Sequence, residues 1–339
     1  MAPLGLRIST LALLAGGCAV GAPLAVPSKI AATVEGDCAL SPADQAWVDA
    51  SMDAWDYASR EITGVGRVEN IRAVFFDARC MITSATAMNG GPKVWQATPH
   101  AGQVQVPGGP TLPVGVISFA MGGEGSDQFV MSTPSVWRAA NKSDNGLGSL
   151  EKLMTVVVIH EGNHVAQIPT YGKRMEALAK AHNLPEDFND DSIQKRFQGK
   201  PLFAEWVNLE SELLFAAADS KDDAEARDLA LEARDLMRER QQQWYTGADA
   251  YLTDAEDIWL TMEGSAQWAA YQWVTDPRGG AVPSSRAQFR TDKWWSQREG
   301  FAVFMALDRL AGGTWKRHAF GDGAKTALQM LDEAIAARR

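Results

Sequence analysis

Apolar positions change their period about midway along the chain. In SPADQAWVDASMDAWDYASREITG, residues 41–64, Trp47, Ala54, Trp55 and Ala58 fall on one helical stripe. Ser41 can cap that helix, Pro42 suits its first turn, Asp44 favours its positive end, and Gly64 is a natural stop. VENIRAVFFDA then reads as a strand. From Asn89 to Gly125 the texture is Gly, Pro and short β-prone runs (KVWQA, QVQV, PVGVISFA), which predicts a small sheet of hairpins with GVISFA at an edge. DQFVMSTPSVWRAA adds a further strand before the chain turns helical.

From Leu150 onward the period is 3.6. LEKLMTVVVIHEGNHVAQ, PLFAEWVNLESELLFAAAD, DDAEARDLALEARDLMRERQQQW, DAEDIWLTMEGSAQWAAYQWV and EGFAVFMALDRLAGG predict five helices, and AKTALQMLDEAIAARR a short sixth. The expected fold is α+β: a small N-terminal β-sheet portion and a predominantly helical portion. The boundaries read as an export signal at 1–17, a linker at 18–36, a helix-plus-hairpin portion at 37–149, a helical portion at 150–278 and a C-terminal helical portion at 279–339.

Composition adds little to this except by exclusion. A formal charge of −10, from 32 Lys and Arg against 42 Asp and Glu, is the wrong sign for gripping nucleic-acid phosphates. The twelve tryptophans recur at helical spacing among other apolar residues, as in an aromatic core. The N-terminus says more. Arg7, a short apolar run and then small residues form an export signal too short to span a membrane. Two fates are open: LLAGGC resembles a lipobox that would lipidate Cys18, whereas cleavage after Ala22 would release a soluble chain. Membrane association would come only through that anchor, placing the protein in the periplasm or on the membrane, or else outside the cell. Cys38 and Cys80 then remain, an even pair in a compartment that permits a disulfide; the alternative is two buried thiols.

The chemistry concentrates in VVVIHEGNHVAQ. On a helix His160 and His164 lie one turn apart and can aim their rings at one point, with Glu161 beside them to act as a base. Glu161 is the only charge between Val156 and Ala166, and a helix that apolar does not bury imidazoles and a carboxylate without partners. A catalytic zinc needs a third protein ligand. Of the other histidines, His100 falls in a Pro/Gly-rich loop and His182 in a polar connection; neither they nor His318 stand at the short spacing that metzincins use. A glutamate suits better. Glu263 is the single charge in an apolar, small-residue run, and Gly264 and Ala266 would let its helix approach the His160 helix. Glu210 is the next candidate, as a residue orienting a ligand. Glu256 has that role as its second reading, a solvated helix start as its first. Tyr251, Tyr271, Arg298 and His318 are each read as structural or solvated rather than as stabilisers of an oxyanion.

HEGNHVAQ, WVNLESELL and MEGSAQW together resemble the gluzincins, and more narrowly a family of exported bacterial zinc peptidases with EGxAxY in the place of MEGSAQW. The resemblance spans Leu150 to about Val274. It implies a zincin-like catalytic portion with Zn²⁺ on His160, His164 and Glu263. It further implies Glu161 as general base for attack of a metal-activated water on a peptide or protein substrate, in a cleft between the β and helical portions. Gln267 departs from the family where an acidic residue orients a histidine, and Trp268 replaces the tyrosine. Two rivals stay open: a zinc hydrolase of non-peptide amides or esters, and a non-catalytic lipid-anchored binding or scaffold protein. Cobalt or manganese could occupy the same ligands in vitro.

Overall fold

The computed structural model describes residues 33–66, 71–84, 94–122, 127–144, 146–282, 286–290 and 293–337. The export signal, the lipobox and Cys18 lie outside the described residues. The chain forms two compact units, Met1–Ile168 with Ala269–Gln288 and Pro169–Trp268 with Phe289–Arg339. Among the described residues no helix is long and apolar enough to cross a membrane. The fold is α+β, as the patterning predicts.

The first unit begins with β1 (Thr33–Gly36), a strand that the patterning does not single out, and α1 (Pro42–Tyr57). The start of α1 is as expected: the Ser41 hydroxyl accepts from Asp44 N at 3.1 Å, and a π-turn carries the chain to Gly64 at φ 73°. Then come β2 (Ile71–Phe76), β3 (Cys80–Ser84), β4 (Val94–Pro99), β5 (Gln103–Gln105), β6 (Thr111–Pro113), β7 (Ser118–Met121) and β8 (Asp127–Ser132). Helices α2 (Pro134–Ala139) and α3 (Leu150–Gln167) follow.

Six strands form one sheet in the order β1-β4-β3-β2-β8-β7, and β5 and β6 form a separate hairpin. The expected hairpin sheet is instead mixed, because β1 pairs with β4, and β2 with β8, in parallel. GVISFA does supply an edge strand, β7. Burial of both faces explains the nearly continuous apolar run of β2. On one face Phe75 makes edge-to-face contacts with Trp47, Trp95 and Phe129, at centroid distances of 5.5–5.9 Å. On the other, Val74, Phe76 and Val130 pack with Val104 and Val106 from the small hairpin and its turn. α3 lies against α1, β7 and β8.

Cys38 and Cys80 form a disulfide, joining the residues before α1 to the first residue of β3. Replacing both by serine frees a loop spanning 42 residues of sequence separation. The expected loss is about 3–4 kcal/mol, read as a lower urea midpoint.

The second unit is helical: α4 (Lys173–His182), α5 (Ser192–Phe197), α6 (Pro201–Asp219), α7 (Asp223–Trp244) and α8 (Leu252–Thr275, whose last seven residues belong to the first unit). After the short α9 (Arg286–Phe289) come α10 (Trp295–Ala311) and α11 (Ala327–Ala336). α6 packs against α7 and α10, and α10 against α11. Gly264 makes its close approach to α10, where a Cβ would stand 2.3 Å from the Gly300 carbonyl carbon. Gly264, beside Glu263, therefore serves an α8–α10 contact.

Asp257 on α8 accepts from Leu328 N at 3.0 Å and from the Thr326 hydroxyl, holding the start of α11. Burial pushes its pKa up to about 6, against those hydrogen bonds, which lower it. A carboxyl raised in the folded state contributes stability that is complete below its ordinary range and lost as pH rises through 6. Asp257→Asn should flatten the urea midpoint between pH 4 and 7 and raise stability by roughly 2 kcal/mol at pH 8.

Candidate metal centre

α3 starts at Ser149, whose hydroxyl accepts from Lys152 N at 3.2 Å. Every residue from Val156 to Val165 is buried, so the helix runs through the core of its unit with no solvated face over that stretch. A position so apolar holds β-branched residues well despite their modest helix propensity, because packing outweighs propensity there. Gly162 has a packing role: a Cβ there would fall 2.2 Å from Nε1 of Trp55, which fills the space beside it from α1.

The two imidazoles stand perpendicular, 4.5 Å between centroids, with their Nε2 atoms 2.9 Å apart. Two nitrogens each about 2.0–2.1 Å from one ion would be separated by a similar distance. Glu161, between them in sequence, has no solvent exposure. Glu263 on α8 is 1% exposed. His160, His164 and Glu263 each offer a ligand atom within 4.8 Å of the others, a group that could hold a metal ion. Two neutral imidazole nitrogens and one carboxylate oxygen suit zinc and its first-row neighbours alike, so the donor set fits the implied ion without selecting zinc.

The remaining candidates are placed differently. Glu210 and Glu256 both bind Arg240, a side chain with no solvent exposure in the helix α7. Arg240 Nε donates to both Glu210 oxygens at 3.0 Å, Nη1 to Glu256 Oε1 at 2.7 Å, and Nη2 to Glu299 Oε1 at 3.0 Å. Glu256 also accepts from Tyr245 at 2.7 Å and from Gln241 at 2.9 Å. The solvated reading of Glu256 is thus wrong: three donors compensate its burial. Glu210 holds a guanidinium rather than a histidine.

Burial pulls the Arg240 pKa down, but Glu210, Glu256 and Glu299 outweigh it and hold the group well above its ordinary value. Burial raises Glu299 well above the carboxylate range; Arg240 opposes this, while the charge of Glu210 and a hydrogen bond with it add to it.

His182 ends α4 instead of lying in a connection, and its ring stacks on Tyr251 at 5.0 Å. His100 follows β4, and its Nδ1 accepts from Gly102 N. His318 is bound by Asp322 at 2.9 Å and Arg317 at 3.2 Å. Arg298 donates to Asn208 and Glu212. Tyr271 is a half-buried residue of α8. Gln267 donates to Gln297 at 3.0 Å, and the Trp268 ring packs on Trp315.

Arg240 and Glu299 escape a reading of the sequence, though both leave a trace. Ala226, Ala230, Ala233 and Met237 form the buried stripe of α7, and Arg240 is its next member. Glu299–Gly300 repeats the Glu–Gly step of Glu161–Gly162 and Glu263–Gly264, and the glycines of all three steps lie at close helix contacts. Comparison with protein-family models, curated proteins and solved structures gives no match.

Truncating Arg240 to alanine strands the hub's carboxylates in the core. The expected loss is about 3–5 kcal/mol, measured by urea unfolding at neutral pH.

Proposed function

We propose that this chain is an exported, metal-dependent hydrolase of peptide bonds. The observation that carries the reading is the pair of Nε2 atoms at 2.9 Å on a fully buried turn, grouped with Glu263 and with Glu161 between them in sequence. His160, His164 and Glu263 would hold the ion, with zinc as the favoured metal. A bound ion would supply a Lewis acid that polarises a carbonyl and makes water more acidic.

The chain's own residues would do the rest. The Glu161 carboxylate is the base: it takes a proton from the attacking water and returns it to the leaving amine. Burial keeps competing water away from that carboxylate and strengthens each charge it meets. β7, at the edge of the sheet and packed on α3, supports a peptide over a compact ester, since an extended chain can add to such an edge by backbone hydrogen bonds. The disulfide supports export to an oxidising compartment, with Cys18 as the lipid anchor if the lipobox is processed.

Metal analysis and a peptide-library assay test the reading together. Wild type should carry about one zinc per chain, and Glu263→Ala should lose or weaken it. Glu161→Gln should keep metal and fold while turnover falls by about 10²–10⁴-fold. Unchanged turnover in Glu161→Gln would favour the scaffold reading, and a wild type that takes no metal after reconstitution would remove the site.

A further inference from the structure

We infer that Arg240 is the positioning residue for Glu263, setting the axial register of α8 so that this carboxylate meets its metal; the inference rests on Glu263 being a ligand. The argument starts from the α8 face. Glu256, Glu263 and Gln267 follow one another at intervals of about two turns and one, and so lie along one side of the helix, with Gly264 about 100° further round. Three contacts bracket the ligand. Seven residues before it, about 10 Å along the axis, Glu256 is gripped by Arg240. Immediately after it, Gly264 rests on the backbone of Gly300. Four residues after it, Gln267 is bonded to Gln297 of α10.

The middle contact cannot set register. Glycine against glycine brings two helix backbones close, but offers no side-chain knob to resist sliding along the seam. The polar contacts on either side supply that resistance, and the guanidinium is the stiffer. Its planar fork spends donors in fixed directions on three helices at once: Glu210 on α6, Glu256 on α8 and Glu299 on α10. The Phe203 ring, 4.9 Å from the guanidinium carbon, supports the group from α6.

A buried ion network is a poor way to gain stability, since an apolar replacement is often as good. It is a good way to define one geometry. Metal ligation needs that definition, because ligand distances must be correct to about 0.2 Å.

The test uses Co²⁺ as probe, reading both affinity and the visible absorption of the bound ion in the full-length mature protein. Wild type, Glu263→Ala, Glu256→Gln and a triple variant (Arg240→Met, Glu210→Gln, Glu256→Gln) are compared. The triple variant removes the hub's cation together with the Glu210 and Glu256 carboxyls that it holds. Met237→Ala, on the same stripe of α7, controls for lost stability. The expected result is a 10–100-fold weaker Co²⁺ affinity with a shifted spectrum in Glu256→Gln and in the triple variant, the latter persisting even where unfolding shows wild-type stability. Wild-type affinity and spectrum in both variants, with Glu263→Ala still altered, would overturn the inference and leave the site intact. An equal loss in Met237→Ala would also overturn it. A wild type that takes no Co²⁺, or a Glu263→Ala variant that matches wild type, would instead refute the ligand assignment and the inference with it.

Discussion

A guanidinium with no exposure to water has to find every hydrogen-bond acceptor inside the protein, and Arg240 finds them on three helices. This requirement governs the helical unit. α6, α8 and α10 each contribute a glutamate at the same depth, and the ring of Phe203 covers the group from α6. Burial would expel any of these charges alone. Together they persist because each compensates another across the Arg240 guanidinium.

The same constraint acts on α3. Its middle turns have no solvated face, yet they carry two imidazoles and a carboxylate. The perpendicular rings and converging Nε2 atoms are an arrangement that a shared cation would stabilise, and the Glu263 carboxylate supplies opposite charge to such a cation. Glycine follows the glutamate in each case, and the space it leaves admits Trp55 against α3 and Gly300 against α8. Buried carboxyls and close helix packing thus occupy adjacent residues.

The sheet gives α3 its surroundings. Phe75 and Phe129 build an edge-to-face aromatic layer with Trp47, Trp55 and Trp95, and the disulfide fastens the approach to α1 onto β3. The parallel pairing of β2 with β8 leaves β7 at the margin of the sheet, beside the helix that carries the histidines.

Local spacing alone determined α3, α6, α7, α8, α10 and α11, the Ser41 start of α1, several strand runs and the HEGNH pair, because helix and strand periods are properties of neighbouring residues; the shorter α4, α5 and α9 give too few turns to show a period. It did not determine parallel pairing, which depends on strands distant in sequence, nor the small strand β1, whose partner lies about 60 residues away. The apolar, small-residue neighbours of Glu263 set it apart, but the Arg240 hub was not legible. Glu210, Glu256 and Glu299 are each an acid within a helix, and nothing in their immediate neighbours says that they share one guanidinium. Only the tertiary structure decides that, because the partner of a buried charge is chosen by which helices pack together and at what register.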